Sequence, residues 1–284
     1  MRAGIAREES LMLSSVRRIV LGADLGETLP DALREAALVA TTYGAEITMV
    51  HAIPEAPEHS PDYDAVAGEA ERLLDELRAS HPDVRISAAH RIRAQDAASL
   101  VLSTADDIRA DLIVIGAGQR TTLDKALLGT TAEKVLSRSR RPVWVVRPGR
   151  AHPELRRILC AIDGSEPARE ALSTSAFLAR TFVAELTLLT VVGTSRQPAG
   201  GDALEPLTRE VDLHAIQLSR VMREGRPSER IVEVAEESRA DLLVLGSAGR
   251  TGLSRLLLGR NTAEQVIRQL PCSLLAIPAA GATT

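Results

Sequence analysis

Residues 241–264 read Asp241-Leu-Leu-Val-Leu-Gly246-Ser-Ala-Gly249-Arg-Thr-Gly252-Leu-Ser-Arg-Leu-Leu-Leu-Gly259-Arg260-Asn261-Thr-Ala-Glu264. The apolar run Leu242–Leu245 has the length and composition of a buried strand. Gly246, Gly249, Gly252 and Gly259 follow it, and glycine lets a backbone turn with positive φ and approach a ligand closely. Asn261 with Glu264 three residues later has the spacing of a capping box, which predicts a helix start there. A strand thus runs into a glycine-rich loop and then into a helix, whose free N–H groups and partial positive charge suit a phosphate.

The rest of the chain repeats this unit. Arg18-Ile-Val-Leu-Gly-Ala-Asp24 answers Arg157-Ile-Leu-Cys-Ala-Ile-Asp163, and Asp111-Leu-Ile-Val-Ile-Gly116 answers Asp241–Gly246. Ala132-Glu133-Lys134-Val135-Leu136 answers Ala263-Glu264-Gln265-Val266-Ile267, and Arg141-Pro142-Val143 answers Leu270-Pro271-Cys272. A repeat of this size is a duplicated domain rather than a solenoid. With 284 residues there is room for two domains. Their expected spans are 16–149 and 156–279.

Strands and helical patterns alternate in both copies, which predicts a parallel sheet covered on both faces. In copy one, strands are expected at Arg18–Ala23, Glu46–Ala52, Val84–Ala89, Leu112–Ile115 and Val143–Val146. Thr28 is the expected cap of the first helix, which stops near Tyr43-Gly44. An amphipathic helix is expected over Asp62–Ala79, another over Asp96–Arg109, and a last one from Thr130, where Thr130 and Glu133 have capping-box spacing. Copy two follows suit with strands at Glu185–Val192 and Ala215–Met222 and a helix over Ser228–Arg239. Its connection Gly193–Glu210 predicts a shorter or broken helix. The ends of the first and fourth strands become neighbours if each sheet has the order 3-2-1-4-5, and ligands bind at such a switch point.

Composition sets the remaining bounds. Hydrophobic residues make up 45% of the chain and aromatic ones only 2%, the make-up of an aliphatic α/β core. A net charge of −4 does not favour a nucleic-acid surface. No apolar run approaches the roughly 18 residues of a membrane span. Cys160 and Cys272 stand far apart in apolar surroundings and read as buried thiols, which places the chain in the reducing cytoplasm. The scattered histidines have no metal-ligand spacing. There is no P-loop, nucleophile elbow or plausible triad.

The spacing Gly246-x-x-Gly249, nine residues, Gly259 resembles the nucleotide-binding signature of the universal stress proteins, and the resemblance extends from about Val16 to Pro278. It implies two tandem flavodoxin-like or Rossmann-like α/β domains, each with a five-stranded parallel sheet in the order 3-2-1-4-5. It also implies binding of ATP, with or without Mg2+, and a role in stress response and signalling. Hydrolysis would be absent or very slow, so the chain is not expected to be an enzyme. The implied site in copy two comprises Ala161 and Asp163 beside the adenosine, Val191 lining the base pocket, and Gly246, Gly249, Gly259, Arg260 and Asn261 toward the phosphates. In copy one the matching positions are Asp24, Gly116, Gly118, Gly129 and Thr130.

Each copy departs from the signature once. Arg260 is inserted before Asn261, where it either misplaces the loop amides or supplies a guanidinium to a phosphate. Gln119 replaces the second glycine of copy one, while Gly129-Thr130 keeps the usual phosphate end. Asp163-Gly164-Ser165 also reads as a turn that caps the next helix. Copy two ranks slightly ahead on its glycines. The competing reading is a nucleotide-free interaction scaffold with altered loops. The family's habit of pairing through its last strand implies an intra-chain pseudo-dimer of Val143–Val146 with Ser273–Ile277, and association of two chains as a homodimer.

Overall fold

The computed structural model describes residues 13, 15–23, 28–53, 68, 71–72, 75–76, 78–92, 96–118, 129–149, 154–192, 208–247, 266 and 269–278. The first half contains β1 (Arg18–Ala23), α1 (Leu29–Tyr43), β2 (Glu46–Ile53), β3 (Arg85–Ile92), α2 (Ala97–Asp107), β4 (Leu112–Gly116), α3 (Thr130–Arg138) and β5 (Val143–Val146). The second contains β6 (Arg157–Ala161), α4 (Glu166–Phe182), β7 (Glu185–Val192), β8 (Leu218–Glu224), α5 (Pro227–Glu237), β9 (Leu242–Ser247) and β10 (Ser273–Pro278). Described residues between 68 and 80 are helical, within the expected Asp62–Ala79 helix and one residue past it.

The strands form one sheet in the order β3-β2-β1-β4-β5-β10-β9-β6-β7-β8. Read within each half, this is the expected 3-2-1-4-5 twice, with every pairing inside a half parallel. The halves join where β5 meets β10 antiparallel, with Leu274 opposite Val145, Leu275 opposite Trp144 and Ala276 opposite Val143. The expected pairing of last strands therefore occurs within the chain, and it covers two edges that would otherwise present unpaired backbone groups. Val145 and Leu274 are equivalent positions of the repeat, so an approximate two-fold axis passes between them.

Alternation along the strands explains both faces of the sheet. Ile19 and Leu21 of β1 point to one side, with Leu33 and Ala36 of α1, and that cluster continues through Trp144 and Leu275 to Leu172 of α4. Val20 points to the other side, with Val101 of α2 and Val135 of α3, and that cluster continues through Leu274 to Ile231 and Val234 of α5. The two apolar layers run without a break across both halves.

The repeated aspartates fix where β1 and β6 begin. Asp111 accepts hydrogen bonds from the N–H groups of Arg17 and Arg18 at 2.8 and 2.9 Å. Asp241 does the same for Arg156 and Arg157 at 2.9 and 2.8 Å, and pairs with the Arg157 guanidinium at 3.2 Å. The helix ends also repeat. Gly44 closes α1 with φ +66, and Val183 closes α4 at the matching position with φ +53.

Several boundaries differ from expectation for local reasons. Ala215 takes φ +60 in a turn after Asp212, whose carboxylate accepts from the His214 N–H, so β8 begins at Leu218 rather than Ala215. α3 is capped by extended Gly129, with Thr130 as its first helical residue, so the capping box read from Thr130 and Glu133 does not form. Thr28 precedes α1 in helical conformation and makes no side-chain cap. The expected cap at Asn261 lies outside the described residues. Cys160 and Cys272 are free and buried, and burial pushes both thiols up to about 12.

Candidate functional site

The switch point of the first half holds a crevice of about 330 Å³. Its floor is the carboxyl ends of three adjacent strands: Gly22 and Ala23 of β1, Val50 to Ala52 of β2, and Ile115 and Gly116 of β4. Ala97 and Val101 of α2 form one wall, and Gly129, Thr131 and Ala132 at the start of α3 form the other. Gly118 closes the mouth with φ +102, a conformation that glycine adopts without strain. The volume lies within the range of small-ligand sites, and the lining is mostly apolar.

Small residues at the strand ends are there for different reasons. A Cβ on Gly22 would lie 3.0 Å from Ile115 Cγ2 and 3.2 Å from Val101 Cγ2, so side-chain bulk there would press on the crevice floor. A Cβ on Gly116 would lie 2.7 Å from Thr28 Oγ1, so this glycine lets the start of α1 settle on β4. Gly129 is different. Among the described residues, its added Cβ would meet only Gly118 Cα at 3.6 Å and Ala117 O at 4.0 Å, and its φ is −67. Nothing in the packing of the described residues demands glycine at that position. The first turn of α3 carries no side-chain cap, and its opening N–H groups have no intrahelical acceptor. The Gly129 N–H itself is committed, donating to Ala117 O at 2.8 Å.

Two neighbours tie the walls together. His51 is buried at the end of β2, and its Nδ1 makes a 2.9 Å hydrogen bond with Ala23 O, pinning the end of β1 to the end of β2. Asp96 caps α2 by accepting from the Ala98 N–H at 2.9 Å, and lies 3.6 Å from the Lys134 ammonium of α3. The Ser99 hydroxyl holds the Asp96 carboxyl below its usual range.

The second half places its sequence-derived residues at the matching strand ends. Ala161 is buried at the end of β6, and Val191 sits half-buried at the end of β7 against the core. Asp163 forms the turn read from the sequence: its carboxylate accepts from the Ser165 N–H at 3.0 Å, and Ser165 Oγ caps α4 through the Ala168 N–H at 3.3 Å. A Cβ on Gly246 would lie 2.4 Å from the Pro167 carbonyl carbon and oxygen. The backbone of α4 thus rests directly on this glycine, and the fold needs it whether or not a ligand binds. Asp24, Gly249, Gly259, Arg260 and Asn261 lie outside the described residues, so the loop that ranked copy two ahead is not among them.

Of the sequence-derived positions in the first half, Gly116, Gly118 and Gly129 line one crevice, and Thr130 stands at the same helix start. Sequence reasoning missed Gly22, Val50, Ala52 and Thr131, and set His51 aside as structural. The repeat held a signal for one of them, because Ala52 occupies the place of Val191. A second cavity, of about 370 Å³, opens where α3 ends and is lined by Arg138, Arg140 and Arg141. Arg141 donates there to Ala110 O at 2.5 Å and lies 3.6 Å from Asp106, the arrangement of basic residues that closes helix ends. Among the described residues, no group of three His, Cys, Asp or Glu side chains could hold a metal. No helix among them is long and apolar enough to cross a membrane.

Known proteins share this arrangement. The chain is 32% identical to a universal stress protein of Methanocaldococcus jannaschii over 139 residues, 43% of this chain and 81% of that one. It is 29% identical to universal stress protein E of Escherichia coli K12 over 196 residues, 59% of this chain and 60% of the relative's length. In fold it matches the crystal structure of a universal stress protein from Archaeoglobus fulgidus, with a TM-score of 0.76 and 22% identity, covering 92% of this chain and 98% of that one. The profile of the universal stress protein family matches twice in succession, at residues 15–147 and 154–278, and with that duplicated match on a duplicated sheet the chain belongs to the universal stress protein family.

Proposed function

We propose that this protein binds an adenine nucleotide, ATP in the first instance, at the carboxyl ends of its strands and acts in stress response and signalling rather than in fast chemistry. One observation carries the reading: in the first-half crevice, Gly129 opens α3 without any packing need for glycine among the described residues, beside an uncapped helix start. A missing side chain that the protein does not require is room for a ligand. The base and ribose would lie on the apolar floor between Val50 and Ile115, and the phosphates would face Gly118, Gly129 and the N–H groups of Thr130 and Thr131. Any Mg2+ would be held by the nucleotide's own phosphates. In the second half, Ala161, Asp163 and Val191 frame the corresponding strand ends, with Gly246, Gly249, Gly259, Arg260 and Asn261 as the proposed phosphate end.

Phosphoryl transfer needs a placed metal, a cation and a group that orients water. No such set is assembled around the first-half crevice among the described residues. Binding without turnover is the activity we propose, in the cytoplasm, by a chain whose two halves pair through β5 and β10 and which associates with a second chain. The nucleotide-free scaffold keeps one supporting observation, because the Gly129 N–H and the Asp163 carboxylate both serve internal bonds.

Native mass spectrometry of the purified protein, followed by equilibrium binding of labelled ATP, separates the two readings. Binding that Gly129→Val weakens at least about tenfold, about 1.4 kcal/mol, while leaving the thermal midpoint in place assigns the first crevice. Binding lost instead in Gly259→Val and Asp163→Ala assigns the second. No retained nucleotide and no saturable binding by the wild type leaves the scaffold.

A further inference from the structure

The seam between the halves contains an ionisable group that the nucleotide reading does not use. Glu35 lies on α1 with 6% exposure, beneath the β5–β10 junction. One carboxylate oxygen accepts from Trp144 Nε1 of β5 at 2.5 Å, and the other accepts from Ser273 Oγ of β10 at 2.8 Å. Ser273 Oγ in turn accepts from the Arg147 N–H just beyond β5, at 3.2 Å. The Arg147 guanidinium crosses back to donate to Leu270 O in the second half. A single carboxyl is thus bonded to both halves at once.

The repeat shows that this group is not simply what the fold requires. Trp144 and Ser273 are equivalent positions, and the residue of α4 equivalent to Glu35 is Thr174. Thr174 is also buried, yet its Oγ1 has no hydrogen-bond partner among the described residues. One side of the two-fold seam carries a charge-bearing group with two donors, and the other carries a neutral one with none.

The surroundings set which form of Glu35 is favoured. On α1, Asp31 opposes its charge and Arg34 weakly favours it. From β5 comes the neutral Trp144, with Arg147 just beyond. From the β10 side come Ser273 and the Cys272 thiol, which burial keeps neutral. No cation makes a direct ion pair with Glu35 among these groups. Two hydrogen bonds replace only part of the hydration that an ionised carboxylate loses on burial. Burial accordingly pushes the Glu35 carboxyl up from its ordinary 4.5 to about 7, against the two hydrogen bonds, which pull it down.

We propose that Glu35 is a proton-controlled latch between the two halves: protonated, it holds β5 and β10 against α1, and ionised, it loosens that seam. When protonated, the carboxyl donates to Ser273 Oγ and still accepts from Trp144, so both links survive without a buried charge. When ionised, the same site holds an unpaired charge that water stabilises better than the protein does. The folded state binds this proton more tightly than the unfolded chain. Its stabilising effect is therefore complete below about pH 4.5 and is lost as pH rises toward about 7.

Trp144 is the only tryptophan in the chain, so its emission reports directly on its hydrogen-bonded partner. The experiment records tryptophan emission and urea unfolding of the full-length protein between pH 5 and 8.5, in the wild type, Glu35→Gln and Ser273→Ala. The wild type should show an emission transition near pH 7. Its unfolding equilibrium should shift on the order of 100-fold toward unfolding as pH rises from 5 to about 7, and level off above that. Glu35→Gln should abolish both. Ser273→Ala, which removes a donor to the ionised form, should move the transition to higher pH, and it serves alone if Glu35→Gln does not fold. The same transition persisting in Glu35→Gln, a wild type whose emission is flat, or a Ser273→Ala midpoint that is unmoved or lower would each overturn the proposal.

Discussion

Replacing Asp241 by alanine tests the account of how β6 is anchored, and the duplication supplies the control. The Asp241 side chain is 3% exposed and takes three hydrogen bonds: from the Arg156 and Arg157 N–H groups at 2.9 and 2.8 Å, and from the Arg157 guanidinium at 3.2 Å. Alanine leaves two N–H donors without their acceptor in a place that water enters poorly, at about 1–3 kcal/mol each. The guanidinium, 37% exposed, recovers part of its loss from solvent. Its Nε is already buried without a partner, so that recovery is incomplete. The sum is about 4 kcal/mol. Asp111 makes the same pair of backbone bonds in the first half, but it is only half-buried and its bonds face solvent, where water can replace much of the carboxylate's role, so Asp111→Ala should cost only about 1 kcal/mol. With a urea dependence of about 2 kcal/mol per molar, the midpoint for loss of the second half should fall by roughly 2 M in Asp241→Ala. The fall for the first half in Asp111→Ala should be roughly 0.5 M. Far-ultraviolet circular dichroism over a urea series measures both. Equal shifts, or the larger one at Asp111, would refute the claim that burial decides the worth of the clamp.

The strand-four glycines should also differ in tolerance. Gly246→Ala drives a Cβ into the Pro167 backbone at 2.4 Å, where no rotamer can yield, and should destabilise by about 3 kcal/mol in chemical denaturation. Gly116→Ala meets a threonine side chain at 2.7 Å that can turn aside, and should cost about 1 kcal/mol; the reverse order would count against the packing argument. Val183 is 91% exposed and closes α4 with φ +53, so Val183→Gly should stabilise by about 1 kcal/mol by relieving a β-branched residue held in the left-handed region. A lowered thermal midpoint in that variant would show that the strain is compensated elsewhere.

Much of the architecture was legible because the signals are local and occur twice. The apolar runs that became β4 and β9, the extent of α1, and the turn at Asp163 with its Ser165 cap all depend on residues within a few positions of one another. Where sequence reading missed, a neighbour distant in the chain had intervened. The sequence shows Gly246 as a ligand glycine but not that α4 rests on it, and Gly129 gains weight because nothing among the described residues rests on it. The Thr130 capping box failed because Gly129 already occupies the cap position in extended form.

What the amino-acid order determined by itself is the duplication, the alternation of strands with helices, and the family signature with its two departures. Periodicity and spacing along one strand or helix are enough to encode these. Only the tertiary structure decided that the small residues of β1, β2 and β4 meet at α3 as one crevice. It also decided that Glu35, 109 residues from Trp144 and 238 from Ser273, is bonded to both. Such juxtapositions arise when the sheet brings strands remote in the chain side by side, parallel within each half and antiparallel at the seam, and burial then fixes which charges those neighbours can tolerate.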